Sequence, residues 1–362
     1  MTIGSVSSCQ ALLFAPPLGG MIGVLPSTRY QGSKSKILKW IDYYTKDLHF
    51  DSVLDAFGGT GCVGYVFKKH GKQVLYNDAL KFNYYVGLAL IENKNTTLDK
   101  SDLAGILRKD PRVQYPSFIH DTFHDIYFTD EENEWLDMVS TNIKLMDDKY
   151  KQALAYYALF QACIIKRPYN LFHRKNLYIR TADVERSFGN KKTWDTPFVT
   201  HFLKFAEEAN NAVFDNGLPN KAYNSDIFDL VSPKVDLVYI DTPYISSKGM
   251  GVNYFDFYHF LEGLVRYEQW PQLIDNESKH KKIKNGKSEW CNKGEIGSAF
   301  GRLFDRYQDS ILVISYRDDG TPTIPELVSM LKKHKQSVEV KKLDYKYVLS
   351  TGDSKEVLII AS

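Results

Sequence analysis

The chain has 362 residues, of which 43% are hydrophobic, 25% charged and 14% aromatic. These are the proportions of a globular protein of about two folded units, and they exclude a chain disordered over most of its length. Lys and Arg total 46 against 44 Asp and Glu, a formal net charge of +2, so a nucleic-acid partner would have to be met by a local patch rather than by the global field. The four cysteines, Cys9, Cys62, Cys163 and Cys291, form no CxxC pair. That argues against a metal site or a disulfide framework and fits a reducing compartment. No apolar run reaches the ~18 residues of a membrane-spanning helix, so no membrane partner is expected.

Residues 1–28 carry no charged side chain, the first basic residue being Arg29. A secretory signal would begin with basic residues, and Pro16, Pro17, Gly19, Gly20 and Pro26 interrupt the apolar stretch. We read 1–28 as an N-terminal extension, loosely docked, with Met21 as a candidate start. Ser52–Asp55 is a short apolar run ending in an acid, followed by Ala56-Phe-Gly-Gly-Thr-Gly61. Cys62–His70 then has helical spacing, Gly71 stops it, and Gln73–Asp78 reads as the next strand. Strand, glycine turn, helix and strand make a parallel βαβ unit.

From 79 to 222 the pattern is mainly helical, with helices predicted over Glu131–Met146 and Lys149–Ile165. The second is apolar enough to be the central helix of a domain. Strands return at Asp236–Asp241, Ser310–Ser315, Val338–Leu343 and Glu356–Ile360. The last two are too close in sequence for a helical crossover and should pair as an antiparallel hairpin at the sheet edge. Between Asp241 and Ser310 lies a smaller insert, Ser246–Phe300, whose basic run, Lys279–Lys284 within a loop near 275–295, reads as a mobile loop that suits a second phosphate contact or, more simply, a solvated face. The expected fold is α/β: a doubly wound, mostly parallel sheet split into halves 29–78 and 223–362 around the inserted region 79–222.

The glycine turn between Asp55 and Gly61 allows close approach of a ligand to the backbone, although glycine turns also serve simply to join strands to helices. Asp78 follows Gly61 by 17 residues, near the ~20 at which a carboxylate grips ribose hydroxyls. The turn lacks the Lys-Ser/Thr of a phosphate loop, and Asp55 at its start would repel a pyrophosphate while suiting a cationic ligand. A nucleoside with an amino-acid tail fits, and S-adenosylmethionine is such a molecule. At the end of a buried strand, Asp241-Thr-Pro-Tyr244 offers an acceptor, a rigid turn and an aromatic face. Asp241 and the Thr242 carbonyl can accept from an exocyclic amine, Pro243 holds the turn, and Tyr244 can stack on a base. The same four residues also suit an ordinary β-turn.

Arg29-Tyr-Gln-Gly-Ser-Lys-Ser-Lys36, Asp55–Gly61, Tyr76-Asn-Asp78, Asn224-Ser-Asp226-Ile-Phe228 and Asp241–Tyr244 occur in this order. Together they resemble the alpha-class, Dam-like DNA adenine N6-methyltransferases of bacterial restriction–modification systems, from Arg29 to the end of the chain. The resemblance implies a Rossmann-like methyltransferase sheet, S-adenosylmethionine as cofactor, double-stranded DNA as substrate and the bacterial cytoplasm as location. A cognate restriction endonuclease acting separately on the same site is an implied partner. It places Tyr30 and Lys34 at the methionine end of the cofactor. Asp55, Phe57 and Gly59 fall beside its methionine and ribose, Asp78 at the ribose hydroxyls, and Asp226 at the adenine amine with Ile227 or Phe228 beside that ring. Asp241–Tyr244 matches the catalytic tetrapeptide, with Thr242 where the family has proline. Only the carbonyl is needed there, so the substitution puts the rate in doubt more than the reaction. Cytosine-N4 or RNA methylation, and a non-catalytic DNA-binding protein on the same fold, are the alternative readings.

Between Lys166 and Lys192, eight basic residues stand against Asp183 and Glu185, a local charge of +6, interleaved with Tyr169, Phe172, Tyr178, Phe188 and, just beyond, Trp194. Cations for phosphates and planar groups for bases suit a duplex-opening surface in the inserted target-recognition region. Arg174, Lys175 and Arg180 are the candidate DNA contacts. His259, in Tyr254-Phe-Asp-Phe-Tyr-His259, belongs to a motif resembling one that packs at the target base, and suits a plain packing role equally well.

Overall fold

A computed structural model describes residues 23–185, 191–231, 233–246, 251, 253–284, 286, 288–343 and 355–362. The expectations for residues 1–22, Met21 included, lie outside these. Residues just after them are tethered: the Ser27 backbone and hydroxyl donate to Glu208 at 3.0 and 2.6 Å, and Val24 N donates to Asn211 O.

Nine strands are present among the described residues: β1 (Ser52–Asp55), β2 (Gln73–Asn77), β3 (Lys221–Tyr223), β4 (Leu237–Ile240), β5 (Ile245–Ser246), β6 (Ile311–Arg317), β7 (Gly320–Thr321), β8 (Val338–Leu343) and β9 (Glu356–Ala361). Seven form one sheet in the order β3-β2-β1-β4-β6-β9-β8, and β5 pairs with β7 apart from it. Pairing is parallel from β3 to β6 and antiparallel where β9 lies between β6 and β8. The terminal hairpin is thus at the edge as expected, with β8 outermost. Burial explains the order. Every residue of β4 and β9 is buried, as interior strands require, while β8 is mostly half-exposed.

The pleat divides the core in two. Val53, Val74, Leu237 and Val313 face the helices Cys62–Lys69, Lys149–Ile165 and Phe198–Ala212. Leu54, Leu75, Val238 and Leu312 face the helices Ile296–Arg306 and Ile324–Leu331. The helix Lys149–Ile165 is buried at every position from Ala153 to Ile165, the central helix its composition predicts. Asp148 caps it, accepting from Tyr150 N and Lys151 N.

β3 was not expected as a strand. Its three residues hold one small apolar side chain, Ala222, so no alternation can be read there. A buried carboxylate fixes it: Glu92 accepts from Ala222 N at 2.8 Å and from the Lys149 ammonium at 2.7 Å. Strand order reverses between β1 and β4, whose neighbours β2 and β6 run away to either side. The carboxyl ends of β1, β2 and β4 therefore open at one edge of the sheet, the crevice in which such folds bind ligands.

Candidate active site

Asp55 is the last residue of β1, Asp78 follows β2 and Asp241 follows β4. After Asp55 the chain turns through Gly59 (φ 51°) and Gly61 (φ 69°), left-handed conformations that side chains disfavour. At Gly58 a Cβ would run into the Tyr76 ring, so this glycine is required by a close approach. Asp78 Oδ2 accepts from Gly59 N at 2.9 Å and Asn83 Nδ2 at 3.1 Å, and its Oδ1 accepts from Leu80 N at 2.8 Å. The Tyr76 hydroxyl donates to Gly59 O at 2.7 Å. Turn and second strand are therefore one rigid unit. Asp55 is 1% exposed and accepts from Gly64 N at 3.1 Å. Burial pushes its carboxyl up to about 7, the Gly64 hydrogen bond opposing and the charges of Asp241 and Asp78 adding. Burial likewise raises Asp78 to about 6, against the bonds from Leu80, Gly59 and Asn83.

Opposite stands Asp241. Lys34 comes from a short 3₁₀ turn, Lys34–Lys36, and is 3% exposed. Its ammonium lies 3.0 Å from Asp241 Oδ1 and donates to the Tyr244 hydroxyl at 2.7 Å. The Tyr244 hydroxyl donates to Asp241 Oδ1 at 2.6 Å. Thr242 is buried, and its hydroxyl has no hydrogen-bond partner among the described residues. The side chain at this position therefore contributes bulk, consistent with a backbone role.

Aromatic rings make the walls. Tyr30 stacks on Tyr258 (4.4 Å between centroids, 12° between planes) and on Tyr254 (5.7 Å, 6°). Across from them Trp290 meets Phe57 edge-on at 5.0 Å and stacks on Phe228 at 5.9 Å and 4°. Asp226 Oδ1 accepts from Phe228 N at 2.9 Å, shaping the turn that buries Ile227. These groups surround one cavity of about 660 Å³, lined by Tyr30, Lys34, Asp55, Phe57, Gly59, Asp78, Asp226, Ile227, Asp241 and Pro243. Thr242 and Tyr244 stand behind it, Tyr244 joined to it through Lys34 and Asp241. Sequence reasoning did not single out Asn253 or Trp290, which also line it, and gave Lys284 only as the end of a basic run. Each belongs to the insert after β5, where no strand or glycine signal marks a ligand wall. Trp290 could have been suspected as a tryptophan in a polar loop.

The candidate DNA contacts separate. Arg174 and Lys175 are exposed, and Lys175 pairs with Asp125 at 2.8 Å. Arg180 departs from its expected surface role. Only 6% exposed, it donates to both oxygens of Glu132 at 2.9 and 2.7 Å. Lys166 joins the same carboxylate at 2.7 Å, and Arg167 is buried against the carbonyls of Tyr127, Leu171 and Arg174. Part of the +6 is therefore internal scaffolding, because Glu132, at the N-terminus of the helix Asp130–Lys144, draws two cations inward. His259 packs. It is fully buried, within bonding distance of the Tyr127 hydroxyl (2.8 Å) and Phe172 O (3.1 Å), and burial lowers its imidazole to about 3.

Comparison with known proteins bears on this geometry. A family model described as D12 class N6 adenine-specific DNA methyltransferase matches residues 30–308. The type II methyltransferase M2.HphI of Haemophilus parahaemolyticus is 30% identical over 340 residues, covering 91% of this chain and 95% of that protein. M.FokI of Planomicrobium okeanokoites is 28% identical over 84% of this chain and 47% of its own length. The modification methylase StsI of Streptococcus sanguinis is 30% identical over 90% of this chain and 50% of its own, so the chain spans about half of these two longer relatives. The family match begins at Tyr30 on the cavity wall and takes in Asp55, Asp78, Asp226 and Asp241–Tyr244, and the chain belongs to the D12 class N6 adenine-specific DNA methyltransferases.

Proposed function

We propose that the cavity holds S-adenosylmethionine beside an adenine rotated out of double-stranded DNA, and that Asp241, the Thr242 carbonyl and Tyr244 hold that adenine for methylation at N6. One observation carries the reading: the acids at the ends of β1 and β2 open into the same cavity as the acid at the end of β4. The donor set fits the cofactor. Asp55 and Asp78 are buried carboxylates with raised proton affinity, and the charges acting on Asp55 are other carboxylates. A cation between them would let them ionise, and S-adenosylmethionine carries both an ammonium and a sulfonium. Asp55 and Gly59 would take its methionine and ribose, Asp78 its ribose hydroxyls, and Asp226 with Ile227 its adenine. Tyr30 and Phe57 supply apolar wall.

The bound cofactor would supply an electrophilic methyl group, needing no metal to activate it. The chain's work is then positioning. An adenine amine in a duplex is out of reach, so the base must leave the stack, at a few kcal/mol for lost stacking. Its amine lone pair is delocalised into the ring. Hydrogen bonds to Asp241 and the Thr242 carbonyl favour the pyramidal nitrogen that attacks, and the carboxylate stabilises the positive charge growing there. Lys34 and Tyr244 both engage Oδ1, which leaves Oδ2 to receive the amine. We assign 1–28 as an extension, 29–78 and 223–362 as the catalytic halves, and 79–222 as the target-recognition region, with Arg174 and Lys175 on phosphate. No helix among the described residues is long and apolar enough to cross a membrane. A cytoplasmic enzyme paired with a separate restriction endonuclease is the matching cellular setting. Offering tritiated S-adenosylmethionine with duplex DNA, RNA and protein side by side tests the reading. Label in N6-methyladenine from DNA is expected, and label confined to RNA or protein would contradict it.

A further inference from the structure

We propose that the segment Leu273–Lys284 is a phosphate-binding arm that carries the DNA backbone from the cavity mouth toward Arg174 and Lys175. The inference rests on the reading that the target base enters this cavity. The basic run was expected to be mobile, but its backbone is pinned. Ile274 and Ile283 pair across an antiparallel bridge, and both are buried. Asp275 N donates to Lys282 O and Lys284 N to Leu273 O, both at 2.8 Å. The tip closes through Ser278 N to Asp275 O at 3.2 Å and Lys281 N to Ser278 O at 3.0 Å. A buried isoleucine pair at the base of a charged tip explains the order: apolar anchors hold what the lysines alone would leave loose.

Both ends of the arm touch functional ground. At its base, Leu273, Ile283 and Lys284 line the cavity. At its tip, His280 O accepts from the Tyr127 hydroxyl at 3.0 Å, and the His280 ring lies 5.6 Å from that of His259. His259 in turn reaches Phe172 O, two residues before Arg174. The His173 imidazole, lowered by burial, also feels Arg174, Arg167 and His280, so the two basic groups are neighbours. Their charge is used differently. Lys166 and Arg180 are neutralised by Glu132 and Lys175 pairs with Asp125. By contrast, among the described residues no ion pair reaches Lys279, Lys281, Lys282 or Lys284; Lys281 donates to the Asn276 carbonyl at 3.2 Å, and the acids of the arm's own sequence are Asp275 and Glu277. An ordered run of lysines that starts at the cavity mouth with Lys284 and continues away from it matches the sugar–phosphate chain beside an extruded nucleotide.

The test is the salt dependence of binding to a fluorescent duplex of random sequence, for the wild-type enzyme and a triple variant, Lys279→Gln, Lys281→Gln and Lys282→Gln. Lys284 is left in place because it lines the cavity. Each lost phosphate contact lowers the slope of log affinity against log salt by ~0.9, so the triple variant should lose roughly 2 to 3 from its slope and bind more weakly. The corresponding triple Lys→Arg variant should keep the wild-type slope. An unchanged slope in the Gln variant, or an equal loss in the Arg variant, overturns the arm. Failure of the wild-type enzyme to bind or methylate duplex DNA would instead contradict the proposed function.

Discussion

The Lys34 ammonium lies 3.0 Å from Asp241 Oδ1, and the Tyr244 hydroxyl bridges the two, accepting from Lys34 at 2.7 Å and donating to the carboxylate at 2.6 Å. A residue matched by resemblance to the cofactor's methionine end thus reaches across and fixes the acid proposed to act on the target amine. Lys34→Met keeps the length of the stem and removes the ammonium. Small losses of orientation cost on the order of 10²-fold in rate. The single-turnover rate constant should fall by about that factor, and more than cofactor affinity does. An unchanged rate would show that Asp241 needs no such support.

Tyr244 has two separable parts. Tyr244→Phe removes the bridging hydroxyl and keeps the ring, whereas Tyr244→Ala removes both. The ring is buried and meets Tyr316 edge-on at 5.6 Å, so the Ala variant should lose ~3 kcal/mol of stability to the space it leaves, read as a lower urea midpoint. The Phe variant should keep most of the wild-type midpoint and lose rate through the freed Asp241 carboxylate. Equal midpoints for the two variants would show that the ring is not a packing group.

Asp55 gives the pH dependence. Its carboxyl is raised from 3.8 to about 7, so the ligand-free fold binds a proton more tightly than the unfolded chain. The group therefore costs stability progressively as pH climbs from 3.8 through about 7, and not below that window. A bound cation favours the ionised form and reverses the penalty. Cofactor affinity should be about tenfold weaker near pH 6 than near pH 8 from this one group. Calorimetric titration in buffers of different ionisation enthalpy should detect proton release. Asp55→Asn should bind more weakly with a flatter profile, and a pH-independent wild-type affinity would contradict the assignment.

Glu132 holds the inserted region together. Burial alone would raise its carboxyl, but Arg180 and Lys166 outweigh burial and hold it below its ordinary value. Its stabilisation is present above the unfolded carboxylate value and is lost as pH falls through the lowered one. Glu132→Gln leaves two buried cations without a counter-charge and should cost ~3 kcal/mol, read as a lower urea midpoint at neutral pH. A midpoint unchanged from wild type would show that the cations find other partners.

The sheet was legible because buried parallel strands are continuous apolar runs, as in Val53-Leu54 and Leu237–Ile240, with acids at their tips. Strand β3 was not, since Lys221-Ala-Tyr223 has no pattern and depends on distant Glu92. The five motifs converge on one cavity, but the bond from Lys34 to Tyr244 spans 210 residues, a pairing no local period can reveal. Charge in the stretch from Lys166 to Lys192 was visible in the sequence, and its direction was not. Whether Arg180 faces phosphate or Glu132, 48 residues away, is decided by packing.

The proposed function assigns Asp241 to the amine and other acids to the cofactor. It is tested most directly by measuring, on Asp241→Ala, both tritium transfer to duplex DNA and the dissociation constant for S-adenosylmethionine. The account predicts a loss of transfer of at least ~10²–10³-fold with cofactor affinity close to wild type. Transfer near the wild-type rate, or loss of cofactor binding in parallel with transfer, would contradict it.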